Sequence, residues 1–195
     1  NTINYVVNVD WDFDNAPTQV ANPAQRLDRD YITQVLRSFA QAKFTMTEGR
    51  HRVGTVHVYR NRRFGDNVDI RLINTDGRSS AHVAGWGNRG STSYNHLAFE
   101  GRAETITQLG RVIAHEIGHY TYGLYDEYRE AGTPLNLAAR GAPSDVDTAR
   151  NSIMNDHLQW SNLSTPADYA DPAQRQTAQA RVYATRPDLS GGSAW

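Results

Sequence analysis

The spacing of apolar residues changes several times along the chain. Residues 3–9, Ile-Asn-Tyr-Val-Val-Asn-Val, form a short apolar run that predicts a largely buried strand, ended by the polar run from Asp10 to Asn15. Asn22-Pro23 has the form of a helix N-cap and first helical residue. Beyond it Leu27, Tyr31, Ile32, Val35, Leu36 and Phe39 carry a helical stripe to about Phe44. The middle third shifts to strand-like alternation. Residues 53–59 and 68–73 are predicted strands between turns rich in Gly, Asn and Arg, residues 80–86 are a weaker strand flanked by serines and glycines, as at a sheet edge, and residues 96–99 add another.

A second helical stripe follows, with Ile106, Leu109, Ile113, Ile117 and Tyr120 on one face and Gln108, Val112, His115 and His119 on another. Thr105 and Gln108 have capping-box spacing at its start. The order strand, helix, four strands, helix predicts an α+β fold, α/β-like in its N-terminal part, with five strands and two long helices. The pattern then weakens. Residues 131–150, rich in Gly, Pro, Ala and Asp, predict a long surface loop, and Asp171-Pro172 caps a predicted final helix to about Ala184. We expect one domain over residues 1–195. Residues 1–123 would form an N-terminal subdomain and 124–195 a smaller C-terminal one.

Composition narrows the function classes. With 195 residues, 38% of them hydrophobic, the chain can bury one sizeable core. A formal net charge of -1 without basic runs argues against a nucleic-acid partner. No apolar stretch reaches the roughly 18 residues of a membrane span. The absence of cysteine removes disulfides and thiolate metal ligands.

The second helix carries the candidate chemistry, His115-Glu116-Ile117-Gly118-His119. Histidines four apart share a helix face and can reach one zinc ion at about 2.0–2.1 Å. Glu116, offset by about 100°, can lie near the metal without ligating it, the place for a general base acting on a metal-activated water. Catalytic zinc usually takes three protein ligands. Gly123 can end the helix and reverse the chain, bringing Asp126 back as the third ligand, with Glu127 in a supporting role. Glu127 or Glu130 as the third ligand is the rival assignment. An ordinary amphipathic helix with solvated or core histidines is the bland alternative. Asp10, Asp12 and Asp14 invite a structural calcium site, but the glycine and distal glutamate of the twelve-residue calcium loop are missing, which favours a solvated strand end. His51, His57 and His82 are assigned solvated or hydrogen-bonded roles. His96 and His157 lie closer to the signature, and His157 could meet substrate, yet both are assigned structural roles.

The signature, the glycine turn, the acidic ligand and the downstream Ser152-Ile153-Met154 resemble the metzincin zinc peptidases, in which a methionine turn packs beneath the metal. The resemblance makes Met154 the turn methionine. It also implies a twisted mixed sheet whose antiparallel edge strand aligns an extended substrate, with Ala81, His82, Val83 and Ala84 as the matching residues. Gly123 and Asp126 fall one residue later than in the usual metzincins. His115-Glu116-x-x-His119-x-x-x-Gly123-x-x-Asp126-Glu127 instead resembles the N-terminal metalloprotease domain of the calcium-activated chloride channel regulator family. That family carries cysteines after the methionine turn, and this chain has none, so it resembles a distant, microbial relative. The resemblance implies a secreted, cell-surface or periplasmic zinc endopeptidase acting on protein or peptide substrates. A catalytically silent, metal-bearing binding or adhesion module is the alternative from another class.

Overall fold

The computed structural model describes residues 1–88, 90–124, 126 and 152–163. Glu127, Glu130, the loop 131–150 and the final helix 171–184 lie outside the described residues, as does most of the expected C-terminal subdomain.

Two helices pack on a mixed sheet. Strand β1 (Thr2–Val9) is central, and its alternate residues Tyr5, Val7 and Val9 are wholly buried. It runs parallel to β4 (Arg52–Tyr59) on one side and to β5 (Ile70–Asp76) on the other. Strand β7 (Ser93–Phe99) continues the parallel arrangement beside β5, and β6 (Ser80–Ala81) closes this edge antiparallel to β7. The five strands in this path, β4-β1-β5-β7-β6, match the number expected, and a short sixth, β8 (Arg102–Ala103), pairs antiparallel with the end of β7. Helices α1 (Arg29–Met46) and α2 (Ile106–Tyr122) lie against each other. Val35 and Phe39 of α1 and Leu109, Ile113 and Ile117 of α2 join the apolar residues of β1, β5 and β7 in one core.

The first helix starts later than the sequence pattern suggests. Asn22–Arg26 is a strand, β3, paired antiparallel with β2 (Thr18–Gln19), so Pro23 lies in an exposed two-stranded ribbon. Gln19 holds that turn, its Oε1 accepting from the amides of Ala21 and Asn22 at 2.5 and 2.6 Å, while Leu27 N donates to Pro17 O at 3.0 Å. These bonds stabilise the ribbon over a helical start. Asp28 becomes the N-cap, accepting from Tyr31 N at 3.0 Å.

The predicted edge strand 80–86 is also shorter than expected. Its ladder covers only Ser80 and Ala81. Beyond them Ala84 takes a left-handed φ of 56°, and the amides of Ala84 and Trp86 donate to His119 O and Tyr120 O at 2.9 Å each. The chain leaves the sheet to hydrogen-bond carbonyls in the last turn of α2, one of which, His119 O, also accepts from Gly123 N at 3.0 Å.

Lys43 of α1 is wholly buried, and its Nζ has no hydrogen-bond partner among the described residues. The ammonium lies between two aromatic rings, 5.8 Å from the centre of Tyr5 and 5.6 Å from that of Tyr122. Burial lowers its pKa from 10.5 to about 8.

Candidate metal centre and its cavity

Helix α2 presents the signature on a rigid, well-capped segment. Thr105 accepts from Gln108 N at 3.2 Å and the Gln108 side chain accepts from Thr105 N at 3.0 Å, the capping box the sequence predicts. Gly123 ends the helix with φ 66°, a left-handed conformation that glycine adopts without strain. Leu124 N then donates to Gly118 O at 3.1 Å, which turns the chain back along α2. That reversal brings Asp126 to the two histidines.

His115, Glu116 and His119 are buried together, a group suited to holding a metal ion. His115 Nε2 and His119 Nε2 are 3.1 Å apart, and Asp126 Oδ1 lies 3.1 Å from the first and 3.2 Å from the second. The other ring nitrogens are already committed. His115 Nδ1 donates to Ile153 O and His119 Nδ1 donates to Leu124 O, both at 2.7 Å. A carbonyl can only accept, so in each neutral ring the proton sits on Nδ1 and Nε2 keeps its lone pair. With both rings neutral, three acceptor atoms therefore converge, and Asp126 Oδ1 has no hydrogen-bond donor among the described residues. Such a triangle is suited to holding a cation. A tetrahedral ion with ligands at about 2.0–2.1 Å sets neighbouring ligand atoms about 3.3–3.4 Å apart, close to the separations found here.

The electrostatics agree with the geometry. Burial opposes ionisation of Asp126, yet the two imidazoles hold its carboxyl well below its ordinary range. Burial likewise opposes a charged His119, and Asp126 nevertheless raises it to about 9. Both shifts favour positive charge inside the triangle. Glu116 differs, because burial raises its pKa and its Oε2 has no hydrogen-bond partner among the described residues.

Met154 is buried beneath α2, against Gly118. A Cβ at position 118 would stand 2.7 Å from Met154 Sδ and 3.3 Å from its Cε, so the sulfur occupies space that only glycine leaves between the two histidines. The turn that carries Met154 is tight, with Asn155 N and Asp156 N donating to Ser152 O at 3.1 and 2.8 Å. The same turn supplies the Ile153 carbonyl that fixes His115. Packing and ring orientation are thus set by one segment.

A cavity of about 640 Å³ opens beside this centre. Ala81 and Val83 of the expected substrate strand line it, whereas His82 and Ala84 do not, because the strand ends at Ala81. His157 also lines it, its ring 4.8 Å from that of His115, and its Nδ1 is buried without a hydrogen-bond partner among the described residues. Burial, with His115 beside it, lowers the pKa of His157 to about 3. The sequence assigns His157 a structural role with substrate contact as the alternative, and the residue stands on the cavity wall. Arg78, Glu104 and Asp156 line the cavity as well, and no sequence pattern pointed to them. Their convergence is tertiary, and only the motif helix had a local signal.

The remaining expectations resolve by contact. Asp10, Asp12 and Asp14 do not gather around a common centre: Arg71 holds Asp10 at 2.6 Å, Arg60 holds Asp12 at 2.9 Å and also pairs with Asp14, and Arg29 reaches Asp14 at 2.6 Å. His51 Nδ1 lies 2.8 Å from Tyr122 Oη, and His96 Nδ1 lies 2.8 Å from Thr75 Oγ1, both hydrogen-bonded as expected. Among the described residues no helix is long and apolar enough to cross a membrane. Compared with protein-family models and with curated proteins, the chain matches none.

Proposed function

We propose that the protein is a zinc-dependent endopeptidase, with His115, His119 and Asp126 as metal ligands and Glu116 as the general base. The carrying observation is the triangle of Nε2, Nε2 and Oδ1 with both Nδ1 atoms committed to backbone carbonyls. Two imidazoles and one carboxylate form a donor set suited to zinc, whose hard and soft competitors favour all-oxygen or thiolate sites. A zinc ion held there would acidify a water molecule and polarise a scissile carbonyl.

The chain's own groups would do the rest. Glu116 Oε2 is free to accept a proton from the attacking water, and its raised pKa lets it hold that proton until the leaving amine takes it. The Ile153 and Leu124 carbonyls keep both ligand rings in the tautomer that offers Nε2. His157, held neutral, would present an imidazole to the reacting carbonyl from the cavity wall. Ala81, at the antiparallel sheet edge beside the cavity, is where an extended substrate would add its backbone.

The glycine turn, the methionine under Gly118 and the antiparallel edge strand support a place beside the metzincins. The later positions of Gly123 and Asp126 favour kinship with the metalloprotease domain of the calcium-activated chloride channel regulators, and with it a secreted or surface location. The test is a zinc assay paired with turnover. Wild-type protein should bind one zinc ion and cleave a mixed peptide pool, while Glu116→Gln should keep the zinc and lose about 10²–10⁴-fold in kcat/KM. Full activity in zinc-loaded Glu116→Gln would refute the mechanism, and zinc binding without cleavage in wild type would favour a silent binding module.

A further inference from the structure

The cavity has a second polar end. Glu104 lies just before the N-cap of α2 and lines the same space as the metal centre, as well as a smaller cavity beside Tyr31. Its Oε2 is buried without a hydrogen-bond partner among the described residues. A carboxylate oxygen left in that state is costly unless a donor reaches it, and a charged donor compensates best. Burial, with Glu116 nearby, accordingly pushes its pKa up to about 7.

Asp156 Oδ1 accepts from Leu158 N at 3.1 Å. Arg78 acts electrostatically on Glu116 and His157. Val83, Phe99, Val112 and Leu158 give the cavity apolar walls. A substrate side chain that runs from the reacting bond along these walls to Glu104 needs length and a donor at its tip. Lysine and arginine combine that length with an aliphatic stem and a terminal cation.

Resting on the peptidase reading, we propose that Glu104 is a specificity-determining residue that selects substrates with a lysine or arginine beside the scissile bond. The side chain enters along the apolar walls, and its ammonium or guanidinium donates to Glu104 Oε2. Glu104 takes no part in bond breaking.

Two measurements test this and separate it from the peptidase reading. In the first, the zinc-loaded full chain digests a randomised peptide library and the cleaved bonds are mapped by mass spectrometry. Lysine and arginine should be enriched about tenfold at one flanking position, the discrimination expected of one charge-assisted hydrogen bond, and Glu104→Gln should remove the enrichment. Cleavage without a basic preference, or a preference unchanged in Glu104→Gln, overturns the proposal and leaves the peptidase reading standing. In the second, calorimetry compares the hydroxamates of lysine and norleucine, which share a metal-binding head and differ in the terminal cation. The wild type should bind the lysine compound about tenfold more tightly, and Glu104→Gln should bind the two alike. Equal binding by the wild type overturns the proposal even if the variant does not fold. A lysine advantage without any peptide cleavage overturns the peptidase reading and upholds the role of Glu104.

Discussion

Replacing Lys43 by methionine should stabilise the protein at neutral pH. The ammonium is wholly buried, and its Nζ has no hydrogen-bond partner among the described residues. Its pKa falls from 10.5 to about 8, which corresponds to about 3 kcal/mol disfavouring the charged form in the native state. The Tyr5 and Tyr122 rings return part of this, since each cation–π contact contributes about 0.5–2 kcal/mol and methionine forfeits both. Methionine has similar length and no charge to desolvate. With the weaker cation–π values expected at these centroid distances, the net gain is about 1–2 kcal/mol at pH 7, or about 2–8 °C in Tm for a chain of this size.

The pH dependence gives the sharper test. Between pH 8 and pH 10.5 the native state has released the Lys43 proton while the unfolded state still holds it, so the unfolded state binds more protons and wild-type stability rises with pH on account of this group. Below pH 8 both states are protonated and the penalty is constant. The advantage of Lys43→Met should therefore be full below pH 8 and shrink as pH approaches 10.5. Tyrosine ionisation in the unfolded state affects both proteins equally and cancels in their difference. Urea unfolding of both proteins at pH 7, 8.5 and 10 measures it. A variant less stable than wild type at pH 7 would show that the aromatic contacts outweigh desolvation, and an advantage independent of pH would show that Lys43 does not titrate in this window.

Three further outcomes bear on the metal centre. Asp126→Ala should weaken zinc binding more than 100-fold in a chelator competition, whereas Glu127→Ala should lose less, because changes outside the ligand set typically cost about 10–100-fold. Gly118→Ala should destabilise by about 1–3 kcal/mol in denaturant, because its Cβ would meet Met154 Sδ at 2.7 Å, and adding Met154→Ala should restore part of the loss in a double-mutant cycle. His157→Ala should lower kcat on a peptide substrate more than it changes KM, while leaving zinc content intact; an effect confined to KM would limit the residue to substrate binding.

The parts of the site legible in the sequence are those whose cause is local. The four-residue spacing of His115 and His119, the Thr105–Gln108 box and the left-handed Gly123 each depend on a few neighbours along the chain, and each is present in the structure. Asn22-Pro23 carried an equally local helix signal and misled, because Gln19 and the Pro17–Leu27 hydrogen bond drew the segment into a ribbon before Asp28 could cap the helix. The edge strand was lost to a longer-range pairing, the bonds of Ala84 and Trp86 to carbonyls in the last turn of α2. The feature that makes the histidines acceptors is less visible still. It consists of the carbonyl oxygens of Leu124 and Ile153, which every residue type carries and no composition reveals. Glu104 and His157 reach the cavity from opposite sides of the motif in sequence, and only the packing of α2 against the Met154 turn brings them to one space. A short motif thus identifies the groups that would hold an ion, while the shape and charge of the substrate site depend on residues that the fold alone assembles.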